Sequence, residues 1–115
     1  MGLPGSFKAK KKDGTIYYRS SITYKNKHIS LGSFSTEQEA HLGYIEATNL
    51  ISNPEITLDD YSNESVLTFE KWVVLLNFRD NHIYFSTPIY VRPKFFYYYL
   101  SSKERFTFDI DDLFF

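Results

Sequence analysis

The chain of 115 residues contains no cysteine, which excludes disulfide bonds, thiolate metal ligands and a cysteine nucleophile. Glycine and proline are also few, at five and four residues, so each turn that they mark is informative. No apolar run approaches the roughly 20 residues of a membrane-spanning helix. The first residues lack the apolar core of a signal peptide. We therefore expect a cytoplasmic protein that does not engage a membrane.

The net charge of −1 conceals an uneven distribution along the chain. Residues 1–34 carry seven Lys and Arg side chains against Asp13 alone, which is a net charge of +6. Residues 35–65 carry seven acidic and no basic side chains, whereas residues 66–115 carry six of each sign. A basic N-terminal segment of this kind indicates that a polyanion such as a nucleic acid binds there.

Three short strands are predicted at the start of the chain. Asp13-Gly14 favours a hairpin turn with both residues at positive φ, and it separates strands over 7–12 and 16–24. Lys25-Asn26 predicts a second turn, because Asn tolerates the left-handed conformation. A third strand is then expected over 28–34, and the three together predict a small antiparallel sheet.

A helix is predicted directly after the third strand. Ser35 is expected to cap it, with Gln38 three residues later completing a capping box. Apolar residues then recur at spacings of four, three and four, which predicts a helical face that lies on the sheet: Ala40, Tyr44, Ala47 and Ile51. Asn53-Pro54 is expected to end the helix.

The second half of the chain is rich in aromatic residues, since fifteen of the 22 lie beyond residue 65. The nearly continuous apolar run over 72–78 predicts a buried strand, followed by a turn at Asp80-Asn81. A further strand is expected over 83–91, interrupted by Pro88, and a short alternating one over 106–110.

The run Leu31-Gly32-Ser33-Phe34, followed by Thr36-Glu37-Gln38-Glu39-Ala40, is the most specific motif in the chain. Together with Gly5, Tyr44 and Ala47, it resembles the APETALA/ethylene-response-factor type of DNA-binding domain. The resemblance is strongest to the bacterial and phage versions found beside HNH homing endonucleases and integrases. It covers residues 5–52, which is under half of the chain.

This resemblance implies that one face of the sheet lies in the DNA major groove, with the helix packed behind it. By position, Ala9 would also face the groove. The residues expected to contact double-stranded DNA are Phe7, Lys8, Lys10, Lys11, Lys12, Arg19, Ser21, Thr23, Lys25, Lys27, His28 and Ser30. Most arginines that read guanine in the plant domains are replaced here, so GC-box specificity like theirs is not implied.

No catalytic residue, metal site or cofactor is predicted. The three His residues are scattered, and Asp109, Asp111 and Asp112 have no matching ligand nearby in sequence, so they are interpreted as solvated acids. Asp80-Asn81-His82 only superficially resembles an HNH motif and is expected to be a surface turn. The aromatic run over 95–99 is expected to be buried in the core, in a homodimer or against a protein partner.

Together these patterns predict an α+β protein. An N-terminal three-stranded antiparallel sheet packed on one helix occupies 5–52, an acidic linker 53–65, and a small aromatic-rich, mostly β segment 66–115. The expected function is sequence-specific or semi-specific DNA binding, in transcription regulation or a mobile element, in the nucleoid. Two alternatives stay open: the N-terminal fragment of an HNH-type homing endonuclease without its catalytic core, and a protein-binding adaptor.

Overall fold

The computed structural model describes residues 2–114, which form two compact units. Unit 1 runs to Ser52 and adds Asn63–Leu67, whereas unit 2 comprises Asn53–Ser62 and the residues from Thr68 on. The predicted linker 53–65 is therefore divided between the two units. Within the described residues, each unit contains one three-stranded antiparallel sheet and one α-helix, which confirms the α+β class.

The sheet of unit 1 consists of β1 (Ser6–Lys10), β2 (Ile16–Tyr24) and β3 (Lys27–Phe34), in that order across the sheet. All three strands lie where the sequence predicts them, within one or two residues at each end. β2 is central and pairs with both neighbours in antiparallel register. Its Ile, Thr and three Tyr residues favour this extended conformation.

The two hairpin turns of unit 1 differ in type. In the first, the Gly14 N–H donates to the Lys11 carbonyl at 3.0 Å, and Gly14 has a φ of 92°. Asp13 does not share this positive φ, so that part of the prediction is wrong. A longer loop needs only one left-handed residue at its end. In the second turn, Lys25 and Asn26 both have positive φ, at 50° and 66°, as a two-residue turn of type I′ requires.

The helix of unit 1, α1 (Glu37–Ser52), begins one residue later than predicted. The Thr36 hydroxyl accepts from the Glu39 N–H at 3.2 Å and donates to the Glu39 carboxylate at 3.0 Å. The Ser35 hydroxyl donates to the same carboxylate at 3.2 Å. Thr36 is therefore the N-cap, and the prediction of Ser35 is wrong. Thr36 and Glu39 have the same three-residue spacing as the predicted capping box, and the Glu39 carboxylate accepts hydrogen bonds from both hydroxyl groups.

Small residues on α1 allow the helix to approach the sheet closely. The buried residues of its inner face are Ala40, Gly43, Ala47 and Leu50. The Ser20 hydroxyl donates to the Ala40 carbonyl at 2.6 Å, and a Cβ added at Gly43 would lie only 3.0 Å from that hydroxyl oxygen. On the sheet side Ile22, Ile29 and Leu31 are buried and complete the core of unit 1. Of the predicted helical face, Ala40 and Ala47 are buried, whereas Tyr44 and Ile51 are only half-buried.

A β-bulge interrupts the pairing of β2 with β3. Ser20 stands opposite Gly32, but the next residue, Ser21, stands opposite Ser30, so Leu31 has no direct partner. Gly32 has a φ of 128°, a conformation that L side chains rarely adopt. The extra residue allows Leu31 to point into the core while the strand continues beyond it. Gly32, the glycine of the Leu31–Phe34 motif, therefore allows the backbone conformation that the bulge requires.

Unit 2 contains α2 (Phe69–Asn81) where the sequence predicts a strand over 72–78. That prediction is wrong. All residues from Trp72 to Phe78 are buried, so the run carries neither a helical nor a strand period, and a short apolar run fits both. The Thr68 hydroxyl caps the helix by accepting from the Lys71 N–H at 3.2 Å. His82 ends it with a left-handed φ of 62°.

The second sheet consists of β4 (Ile89–Val91), β5 (Phe95–Tyr99) and β6 (Arg105–Asp109), again antiparallel and in that order. The strand predicted over 83–91 is thus reduced to the three residues that follow Pro88. Short 3₁₀ turns lie at Leu58–Asp60 and Ile110–Phe114. Phe115, which ends the predicted C-terminal segment, lies outside the described residues.

Buried Asn77 connects α2 to the segment that follows it. Its side-chain N–H₂ donates to the Ile83 carbonyl at 2.9 Å and its oxygen accepts from the Val91 N–H at 2.8 Å. The Asn81 amide donates to the same oxygen at 2.8 Å. Because this fully buried amide is satisfied by three hydrogen bonds, it costs little to bury and holds the loop and β4 against the helix.

Candidate nucleic-acid interface

One face of the unit 1 sheet carries the residues predicted to enter a DNA groove. Residues directly opposite each other in antiparallel strands share a face. Six of the predicted residues form three such pairs: Phe7 with Arg19, Ser21 with Ser30, and Thr23 with His28. Ala9 stands opposite Tyr17 on the same face. We call these eight residues the outer face; α1 packs on the other side, against Ile22 and Ile29.

Tyr17 positions the only arginine of the outer face. The Arg19 Nε and one terminal nitrogen donate to the Tyr17 hydroxyl at 3.3 and 3.0 Å. The guanidinium carbon also lies 5.7 Å from the centre of the Tyr17 ring, which is cation–π range. Tyr17 is absent from the predicted contact residues. Strand alternation could have identified Tyr17, because it lies two residues before Arg19 and therefore on the same face of β2.

A shallow cavity of about 370 Å³ opens on the outer face. It is lined by Phe7, Arg19, Ser20, Ser21, His28 and Ser30. Phe7 stands beside it with 54% of its surface exposed, an unusual position for a phenylalanine. Ser21 is only 8% exposed and is recessed, so a ligand would have to enter the cavity to touch it. The cavity therefore combines an apolar side with hydroxyl, imidazole and guanidinium groups.

The predicted lysines do not all lie with the outer face. Lys11 and Lys12 lie in the turn at one end of β2 and Lys25 in the turn at the other, about 26 Å apart along the strand. The Lys11 ammonium is 5.9 Å from the centre of the outer-face Tyr17 ring. By strand alternation, Lys8, Lys10 and Lys27 project from the opposite face. The structure thus brings lysines to both ends of the outer face and directs the others away from it.

Unit 2 has its own cavity of about 330 Å³, lined mainly by arginine and tyrosine side chains. The Asp80 carboxylate accepts from Arg79 at 2.7 Å and from the Tyr90 hydroxyl at 2.6 Å. Burial opposes ionisation of Asp80, but the hydrogen bonds from Arg79 and Tyr90, together with the charges of Arg79 and His82, lower its pKa. Burial, together with the Asp80 carboxylate, raises the pKa of Tyr90 to about 12. Arg79, Asp80 and Tyr90 thus form a hydrogen-bonded network, which indicates a structural role.

Within residues 2–114, no group of three or more His, Asp and Glu side chains is placed to hold a metal ion. The Asp109 carboxylate accepts from the Asp111 N–H at 2.9 Å, as in an ordinary turn. A His41 ring nitrogen lies 2.8 Å from the Pro4 carbonyl oxygen and so helps to hold the chain before β1. Among the helices that the structure describes, none is long and apolar enough to cross a membrane.

Comparison of the chain with protein-family models, with curated proteins and with solved structures found no match. Fold and site together define a small α+β protein with a three-stranded sheet that exposes an outer face of mixed aromatic, hydroxyl and cationic groups. The chemistry of that face is therefore the main indication of function.

Proposed function

We propose that the chain binds double-stranded DNA through the outer face, without catalysis. The proposal rests on the residues of the outer face, which the register of the three strands brings to one side of the sheet. Phe7, Arg19, Thr23, His28 and Ser30 are all exposed on one side of a rigid sheet, while the core lies on the other. This arrangement offers several kinds of base contact from one surface.

The dimensions of the sheet suit a major groove. Three strands spaced about 4.8 Å apart span about 10 Å, which is close to the groove width of about 12 Å in B-form DNA. Arg19, held by the Tyr17 hydroxyl, could donate two hydrogen bonds to one guanine. Phe7 and the Thr23 methyl are suited to the thymine methyl group instead. We therefore propose semi-specific reading in which apolar contacts replace most of the arginine contacts.

Lysines at the two ends of the outer face supply the electrostatic part of binding. Lys11, Lys12 and Lys25 could reach phosphates on either side of the bases that the sheet reads. The net charge of +6 over residues 1–34 favours DNA despite the overall charge of −1. Regulation of transcription or of a mobile element, in the nucleoid, is the proposed setting.

Salt-dependent duplex binding tests this function. If Lys11, Lys12 and Lys25 neutralise about three phosphates, the slope of log affinity against log salt concentration should be about −3. The measurement is fluorescence anisotropy of a labelled random-sequence duplex over a salt series, with the same duplex made of RNA as a competitor. A flat salt response, or no binding at low salt, would contradict the proposal. Cleavage of plasmid DNA in Mg²⁺ would instead favour the nuclease alternative.

A further inference from the structure

Strand β6 forms an open edge of the second sheet. The strand order is β4-β5-β6, so only one side of β6 is paired within the described residues. All five of its residues are exposed. Phe106 and Phe108 lie on one face of this strand, with 53% and 42% of their surfaces exposed. An exposed edge strand that carries two phenylalanines is a ready template for a further strand.

Two hydrogen bonds at the ends of β6 show which of its residues bond to β5 and which point to the open edge. The Leu100 N–H donates to the Glu104 carbonyl at 2.9 Å, and the Ile110 N–H donates to the Lys94 carbonyl at 3.1 Å. Both pairs continue the β5–β6 register, so the even-numbered residues of β6 bond to β5. Bonding alternates along an antiparallel strand. The backbone groups that point to the open edge therefore belong to Arg105, Thr107 and Asp109.

The sequence of β6, Arg-Phe-Thr-Phe-Asp, is complementary to itself when read in the opposite direction. Antiparallel pairing of two copies about Thr107 sets Arg105 of each copy opposite Asp109 of the other. The same register joins the outward N–H and C=O groups of Arg105, Thr107 and Asp109 in hydrogen-bonded pairs. We propose that the chain forms a homodimer through β6, which joins the two second sheets into one six-stranded antiparallel sheet.

The aromatic residues support the same register. Phe106 of each copy would stand opposite Phe108 of the other, in the closer, non-hydrogen-bonded type of pair where side chains make most contact. Phe108 already stacks on Phe96, with ring centres 5.3 Å apart, so the new contacts would extend an existing aromatic layer. A two-fold axis through Thr107 makes the interface isologous and closed, so pairing stops at two copies.

Exchanging the charges of Arg105 and Asp109 distinguishes pairing between two copies from a structural role of these residues within one chain. Arg105 and Asp109 are four positions apart in one strand, about 13 Å, so they cannot pair within their own chain. Each single reversal, Arg105→Asp or Asp109→Arg, would place two like-charged pairs across the axis and should weaken the dimer about tenfold or more. The double variant restores both pairs with their signs exchanged and should recover the dimer.

A backbone variant tests the register independently. Thr107 does not bond to β5, so Thr107→Pro should leave the fold intact while removing the central hydrogen bonds of the dimer. The measurement is sedimentation equilibrium of the full chain from micromolar to submillimolar concentration, with circular dichroism as the check of folding.

A dimer in the wild type and the double variant, a monomer in Thr107→Pro, and a dimer weakened about tenfold or more in each single reversal would support the proposal. A wild-type monomer throughout, or a dimer that Thr107→Pro leaves unchanged, would overturn it. So would a double variant that is folded but no better paired than the single ones. This interface goes beyond the proposed DNA binding, and its test uses no DNA.

Discussion

At the scale of single residues, the outer face differs from an arginine-rich DNA-reading surface. Its one arginine is oriented by the Tyr17 hydroxyl, and its large exposed apolar side chain is Phe7. The exposed part of a phenylalanine ring gains no burial energy until a partner covers it. Phe7 stands directly opposite Arg19, so a base that approaches Arg19 from the groove would bring its neighbours close to the ring.

Thymine methyl groups should therefore contribute to binding through Phe7. Replacing thymine by uracil in the preferred duplex, selected from random sequences, should weaken wild-type binding by about 0.8 kcal/mol, roughly fourfold, per contacted methyl. Phe7→Ala should show a smaller difference between the two duplexes, because only the Thr23 methyl then remains to contact a thymine methyl group. Binding titrations at fixed salt measure both. Equal affinity of the wild type for thymine and uracil duplexes would show that Phe7 does not read the methyl group.

At the scale of secondary-structure elements, the β-bulge shapes unit 1. It lets Leu31 enter the core, where it is 2% exposed, while Ser30 remains on the outer face. α1 lies close to the sheet because the Ser20 hydroxyl bonds to the Ala40 carbonyl and because Gly43 has no side chain to collide with Ser20. Both the core and the outer face thus depend on the backbone conformation of one glycine, Gly32.

Gly32→Ala should destabilise unit 1 by about 1–3 kcal/mol, because an L residue at a φ of 128° is strained. Steric crowding is not the cause, since an added Cβ would lie 3.8 Å from the Phe34 ring, an ordinary contact. The matched control is Ser33→Ala, an exposed neighbour that should change stability by less than about 0.5 kcal/mol. Amide hydrogen exchange of β3 and α1 measures both, and equal protection in the two variants would refute the strain.

At the scale of the whole molecule, charge is separated along the chain rather than balanced locally. The basic residues of 1–34 surround the sheet of unit 1, and the acidic residues of 35–65 include the first turn of α1. Acidic side chains there stabilise the N-terminal end of the helix. The overall charge therefore does not describe the local charge around the sheet, which depends on where the lysines lie.

Lysine position should matter more than lysine number. Lys11→Ala with Lys12→Ala removes two charges at the end of the outer face, and should make the salt slope shallower by about 2. Lys8→Ala with Lys27→Ala removes two charges from the opposite face and should leave the slope nearly unchanged. Both double variants should affect all duplex sequences alike, because phosphate contacts carry no sequence information. Identical slopes for the two double variants would contradict binding through the outer face.

The sequence alone determined the elements of unit 1, because their signals are local. Turn residues at Lys25-Asn26, alternation along β2 and the small residues of α1 act within a few positions of one another. They predicted the strands, the helix and which predicted residues share the outer face. DNA contact by those residues stays a prediction.

Tertiary structure decided the rest. The run over 72–78 is helical, but it is buried throughout and its one polar residue, Asn77, is buried too, so its sequence does not reveal a helical period. The bulge at Leu31, the recessed Ser21 and the Tyr17–Arg19 hydrogen bonds follow from strand pairing and side-chain geometry that composition does not show. These features depend on which groups meet in space, so only the folded chain defines them.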